Sequence, residues 1–224
     1  MKLIWSPERA LKAYLDTVKS VSMNPTECEV SQEPSVAEVV SAMAAGWNAG
    51  LVVETWSRGG EIATSVGLAV AAHHTGGKHI CIVPDEESRE EYAEGMRRFG
   101  RSACETIVGD AEEAMDGLEG IDFLVVDCKG NNEFGRVIRA AKLGERGAVL
   151  VCTNASSRAG SDFRWSSVLD GRSRVVRSVL LPVGKGLDVA HVGATGGSSG
   201  REKGRSRWIK RIDQDSGEEF VIRK

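Results

Sequence analysis

Five times between residues 51 and 152 an apolar run is followed by a polar turn and then by a stretch with helical periodicity. The runs cover 51–54, 79–83, 104–108, 121–127 and 147–152. Strands covered by helices on both faces of a parallel sheet read as near-continuous apolar runs. The alternation therefore predicts a doubly wound α/β fold with crossover helices joining parallel strands. The rhythm then breaks. Segments 173–181 and 187–192 are strand-like, and only Pro182-Val183-Gly184-Lys185-Gly186 separates them. So short a link cannot hold a crossover helix, so the pair must be an antiparallel hairpin. The expected architecture is a Rossmann-like sheet, mostly parallel, ending in an antiparallel C-terminal hairpin.

The flanks are read from caps and breakers. Ser6, Pro7 and Glu8 open a first helix, with Leu11, Tyr14, Leu15 and Val18 on one face. Residues 20–34 read as loop. Ser35 with Glu38 three positions on makes a capping box. Val36, Val39, Val40, Met43, Ala44 and Trp47 form the apolar stripe of a second helix. The division expected is an α/β domain over 1–192, a Gly/Ser-rich linker over 193–206 and a β-hairpin extension over 207–224.

Composition narrows the function class. The chain has 224 residues and a net charge of −3, so no global attraction to nucleic acid or anionic lipid is implied. A basic segment near the end, with Arg201, Lys203, Arg205, Arg207, Lys210 and Arg211 against Glu202, reads as a solvated linker. Nucleic acid is accordingly not an expected partner. No apolar run is long enough to span a membrane, and the first residues lack the pattern of a signal peptide. Five cysteines without a Cys-x-x-Cys pair suggest a reducing, intracellular and cytoplasmic setting. The cysteine spacings do not suggest zinc. His73 and His74 are adjacent, so on a helix they point in different directions.

The first apolar run ends in Glu54 and enters the turn Thr55-Trp56-Ser57-Arg58-Gly59-Gly60. In open α/β sheets ligands bind at such turns, at the carboxyl ends of strands. The turn carries neither a dinucleotide fingerprint nor a Walker A loop, and the chain has no Gly-x-Ser-x-Gly elbow.

Leu181-Pro182-Val183-Gly184-Lys185-Gly186-Leu187 resembles the Pro-Ile-Gly-Asp-Gly hairpin turn of the caffeoyl-CoA and catechol O-methyltransferases. Over roughly 35–192 the chain resembles these class I, S-adenosylmethionine-dependent enzymes. As a whole it resembles an uncharacterised plant family, a domain of unknown function with the same fold. The resemblance implies that Glu54 faces the cofactor's ammonium group, a charge-assisted hydrogen bond. Read from the residues alone, Glu54 equally caps the next helix or pairs with Arg58. The resemblance further implies that Asp85, or Glu86 beside it, holds the ribose hydroxyls. Asp110 and Ala111 would border the adenine, and Trp56, Ser57 and Gly60 would form the cofactor turn. Asp127, Lys129 and Asn154 are the implied catalytic residues.

Three departures stand against this pattern. Trp56 occupies the position of the family's first turn glycine, where the ligand leaves no room for a side chain. Thr153 stands where metal-dependent members have an aspartate, so no metal is expected. Lys129 lies two residues beyond Asp127, whereas the family's lysine lies three beyond. Two readings follow. One is a protein that binds S-adenosylmethionine and methylates a small molecule or a protein. The other is a scaffold that kept the fold, lost the activity and works through protein contacts. Whether the chain is an enzyme stays open at this level.

Overall fold

A computed structural model describes residues 5–22, 35–128, 134–158, 164–169, 173–193, 208–212 and 219–223. Two helices, α1 (Pro7–Ser22) and α2 (Val36–Gly46), precede the first strand. Then come β1 (Leu51–Thr55), α3 (Ile62–Thr75), β2 (Lys78–Val83), α4 (Glu86–Arg98), β3 (Glu105–Val108) and α5 (Ala111–Asp116). The chain continues through β4 (Glu119–Ile121), β5 (Phe123–Asp127), α6 (Phe134–Ala140), β6 (Lys142–Leu143) and β7 (Gly147–Thr153). A 3-10 turn (Ala155–Arg158), α7 (Trp165–Val168), β8 (Val175–Leu181) and β9 (Leu187–Gly193) complete the α/β unit. A terminal hairpin pairs β10 (Trp208–Ile212) with β11 (Glu219–Arg223). Of the segment expected to be a linker, 193–206, residues 194–206 lie outside the described residues.

Seven strands form one sheet in the order β3-β2-β1-β5-β7-β9-β8. All pairs are parallel except β7 with β9 and β9 with β8. This is the doubly wound sheet with an antiparallel end that the alternation implied. The chain winds outward from β1 to β3, then returns to lay β5 on the other side of β1. The reversal between β1 and β5 is the topological switch point.

Alternation along the strands explains the two-sided burial. Val53, Leu124 and Leu150 face one apolar layer, with Phe134 and Ile138 of α6. Val52, Phe123 and Val149 face the other, with Val40 of α2 and Leu68 of α3. A third cluster fills the space around β2 and α4, with Trp56, Cys81, Val83, Tyr92 and Met96.

Three local expectations are revised. The face that α1 buries is Ala10, Ala13, Thr17 and Val21, while Leu11 and Leu15 are exposed. The reason is close helix packing. The Ser41 hydroxyl of α2 lies 3.4 Å from the Ala13 carbonyl oxygen of α1. In the same layer the Thr17 hydroxyl, 2.8 Å from Ser41 Oγ, joins α1 to α2. Such contacts call for small side chains, and the larger ones turn outward. Ser35 does sit at the N-cap of α2, but its side chain makes no capping bond to the backbone. It hydrogen-bonds instead to the Glu38 carboxylate. Finally, the run 121–127 splits at Asp122, leaving β4 to pair with β6 outside the main sheet. Asp122 accepts from the backbone N–H of Gly50 (2.8 Å) and of Leu51 (3.2 Å). Arg146 Nε donates to it at 2.9 Å. A buried carboxylate thus pins the start of β1.

The hairpin turn between β8 and β9 is docked onto the chain after β7. Ala155 N–H donates to the Gly186 carbonyl and Ser156 N–H to the Lys185 carbonyl, both at 2.9 Å. Gly186 has φ +87°, and a Cβ there would lie 2.4 Å from Ser156 Oγ, so glycine is required twice over. Among the described residues, no helix is long and apolar enough to cross a membrane.

Candidate functional site

Two clefts open at the carboxyl ends of the strands, on either side of the switch point. The narrower encloses about 50 Å³ and is lined by Glu54, Trp56, Gly60, Asp127, Asn154 and Lys185 among others. The wider encloses about 280 Å³, and its walls include Val83, Pro84, Gly109, Asp110, Ala111 and Arg136. Thr55, Trp56, Ser57 and Asp127 line both. The two are therefore neighbouring compartments with a shared wall, built from the turn after β1 and the end of β5. Of the residues singled out from sequence, Glu54, Trp56, Ser57, Gly60, Asp110, Ala111, Asp127 and Asn154 line one cleft or both. Lys129 lies outside the described residues.

Asp127 and Asn154 come together although 27 positions separate them. Their strands are hydrogen-bonded neighbours, with Asp127 opposite Thr153. Asn154 adopts φ +55°, a left-handed turn that asparagine tolerates better than most residues. From there its amide Nδ2 donates to Asp127 Oδ1 at 2.7 Å. That bond holds one carboxylate oxygen at the wall common to both clefts.

Trp56 is 6% exposed, so most of the indole is packed rather than presented. It meets Tyr92 edge to face, with ring centroids 5.5 Å apart. A Cβ on Gly60 would lie 2.7 Å from its Nε1. The indole therefore folds back over the turn and occupies space that a glycine at position 56 would leave open. Its Nε1 is buried with no partner among the described residues.

Glu54 turns inward and is 2% exposed. Its Oε2 accepts from Ser65 Oγ at 2.9 Å. Its Oε1 accepts from Tyr92 OH at 2.9 Å and lies 3.1 Å from His79 Nε2. Tyr92 OH is also 3.3 Å from Cys104 Sγ. Burial works against protonation of His79, but its hydrogen bonds to Cys104 and Glu54 prevail and raise it to about 10. A hydrogen bond from Cys81 and another from His79 prevail over burial to lower the Cys104 thiol to about 5. Burial pushes Tyr92 and Cys81 up, and both stay protonated. The cluster thus gathers the Glu54 carboxyl, the His79 imidazole and the Cys104 thiol, with proton affinity raised at His79 and lowered at Cys104. Both Glu54 carboxylate oxygens are engaged on the protein side, while the residue also lines the narrower cleft.

Asp85 lines neither cleft. It is the N-cap of α4, and Oδ1 accepts from the Ser88 N–H at 2.7 Å. That backbone bond and the Ser88 hydroxyl hold its carboxyl below the usual range. The last residue of β2 is Val83, so the wider cleft has no acid at the strand end. Asp110 lines the wider cleft while also capping α5, accepting from Glu112 N–H at 2.9 Å and Glu113 N–H at 3.1 Å. Two basic lining residues were not foreseen. Lys185 arrives through the docked hairpin turn, at the position where the resembled motif has its aspartate. Arg136 arrives on α6, where nothing in the local sequence marks it.

The seven-stranded order with its antiparallel end defines the class I methyltransferase fold. A methyltransferase from Geobacter sulfurreducens shares it with a TM-score of 0.55 and 21% identity, covering 81% of this chain and 95% of that one. The SAH-bound methyltransferase PaMTH1 of Podospora anserina gives 0.53 at 14% identity, covering 83% and 88%. A putative caffeoyl-CoA O-methyltransferase from Staphylococcus aureus gives 0.53 at 10% identity, covering 80% and 100%. No curated protein sequence matches the chain. The chain belongs to the family described as "Protein of unknown function (DUF1442)", which matches residues 1–224.

Proposed function

We propose that the protein binds S-adenosylmethionine across the two clefts and transfers its methyl group to a small molecule or a protein. The observation that carries this reading is the Asp127–Asn154 contact of 2.7 Å at the wall shared by both clefts. It supports the reading with a held carboxylate at the wall that the nucleoside and methionine portions would share. The wider cleft suits a nucleoside. Ile82, Val83 and Pro84 give it apolar walls, Asp110 an acid, and Gly109 a backbone with nothing within 4 Å of where a Cβ would stand. When bound, the cofactor would supply a methyl group activated by its sulfonium charge. The chain's own residues bind and orient: Asp110 and Ala111 at the nucleoside end, Ser57 and Gly60 in the turn, Asp127 and Asn154 at the junction. The SAH-bound state of PaMTH1 is consistent with this assignment. The scaffold alternative draws no support from these comparisons.

Trp56 narrows the methionine end, so affinity falls at the weak end of the range. Calorimetric titration with S-adenosylhomocysteine should give a Kd in the micromolar range or weaker, with a matching thermal shift. No heat and no shift at millimolar ligand would exclude cofactor binding and favour the scaffold.

A further inference from the structure

We propose that Glu54, His79 and Cys104 form a binding site for a divalent d-block cation, zinc first, with Tyr92 facing its fourth position. Each of the three offers one donor atom, and these atoms all lie within 4.8 Å of one another. Zinc bonds to oxygen, nitrogen and sulfur are about 2.0–2.3 Å, so tetrahedral donors stand about 3.3–3.6 Å apart. The observed separations are close to that: 3.1 Å from Glu54 Oε1 to His79 Nε2, and 3.3 Å from Tyr92 OH to Cys104 Sγ. A small inward or outward adjustment of side chains admits the ion.

Charge and softness agree with the geometry. A carboxylate and a thiolate around a divalent ion, with a neutral imidazole, make a neutral site, which burial favours. His79 Nδ1 is buried with no partner among the described residues. Mixed oxygen, nitrogen and sulfur donors select zinc or a neighbouring d-block ion over magnesium or calcium. Glu54 and His79 are buried, while Cys104 is only partly so and marks the route of entry. The three ligands sit 25 residues apart in sequence, one from each successive strand–helix repeat, so no local motif announces them.

The test uses the full chain, purified without chelator. Metal analysis should find about one zinc per chain. Stripping with a chelator and refilling with Co(II) should give a thiolate-to-cobalt charge-transfer band in the near ultraviolet. Cys104→Ser should abolish the band with the circular dichroism unchanged, and Tyr92→Phe should keep the band while weakening affinity about 10–100-fold. A folded chain that takes up neither zinc nor cobalt, or a band that persists in folded Cys104→Ser, overturns the proposal. Where Cys104→Ser does not fold, zinc-edge X-ray absorption of the wild-type chain decides. Sulfur among nitrogen and oxygen neighbours supports the site, and a shell without sulfur overturns it. Metal uptake and S-adenosylhomocysteine binding are separate measurements, so either reading can fail alone.

Discussion

Glu54 and Asp127 end neighbouring parallel strands, and each closes an apolar run with an acid. Their surroundings differ completely. Glu54 is buried and engaged by Ser65, Tyr92 and His79, which arrive on α3, α4 and β2. Asp127 is half-buried, lines both clefts, and takes a hydrogen bond from Asn154 across the adjoining strand end. The comparison teaches that an acid at a strand end turns into the core or stays at a cleft wall according to what the neighbouring repeats bring to it. On the β2–α4 side those repeats supply polar partners inside the core. On the β7 side they supply a turn and an open wall.

The contrast breaks most severely at Trp56, which closes the core on the Glu54 side while narrowing the cleft. Truncating a packed tryptophan costs about 3–5 kcal/mol, and glycine's backbone freedom adds about 0.5–1 kcal/mol. Trp56→Gly should therefore lower Tm by roughly 10–20 °C. The same change clears the space beside Gly60, so S-adenosylhomocysteine should bind more tightly by calorimetry. Lower stability with unchanged affinity would make Trp56 a core residue alone.

Glu54→Ala comes next. It strips the buried His79 imidazole and the buried Tyr92 phenol of their shared acceptor, a loss of about 3–5 kcal/mol for breaking one partner of a buried pair. Chemical denaturation should show the midpoint fall with little change in slope. A shift below about 1 kcal/mol, as for an exposed pair, would mean that the carboxylate is solvated and the inward network is not formed.

Asp127→Ala should cost far less, since its hydrogen bond with Asn154 is worth about 0.5–1.5 kcal/mol. Its effect should appear in function instead. Methyl transfer, or S-adenosylhomocysteine affinity where no acceptor is known, should drop by about tenfold or more, the scale of one charge-assisted contact. Equal losses of stability and no loss of binding in the two acid variants would erase the distinction between them.

How much of this was legible beforehand follows the same line. The sheet was readable because both-sided burial writes itself as continuous apolar runs, and the five-residue link at 182–186 forced the hairpin. Asp127 and Asn154 were readable only through the family resemblance, and the pairing of β5 with β7 brings them together. The Glu54 network was not, since Ser65, His79, Tyr92 and Cys104 each look ordinary within their own segment and meet only after α3 and α4 pack. The exposed Leu11 and Leu15 misled for a related reason. A periodic stripe of large residues usually marks the buried face, but the close approach of α1 to α2 at Ala13 and Ser41 reserves that face for small side chains.

Asp85 gives the smallest effect and the sharpest separation of two roles. Its carboxylate caps α4 through the Ser88 N–H, 2.7 Å away, and its pKa is lowered chiefly by that bond. A lowered folded-state pKa means stabilisation that is present above the ordinary carboxylate range and is lost as pH falls through the folded value. Asparagine caps a helix about as well as aspartate and does not titrate. Asp85→Asn should therefore keep Tm nearly unchanged at neutral pH and remove a small part of the acid-side loss. If capping is the whole role, S-adenosylhomocysteine affinity stays the same, because the side chain lines neither cleft. If the loop shifts on binding so that the carboxylate reaches the ribose, the charged acceptor is lost and affinity falls severalfold with stability intact. Asp85→Ala then serves as the control: it should lower Tm through the lost cap, and any change in affinity beyond that of Asp85→Asn would come from movement of α4.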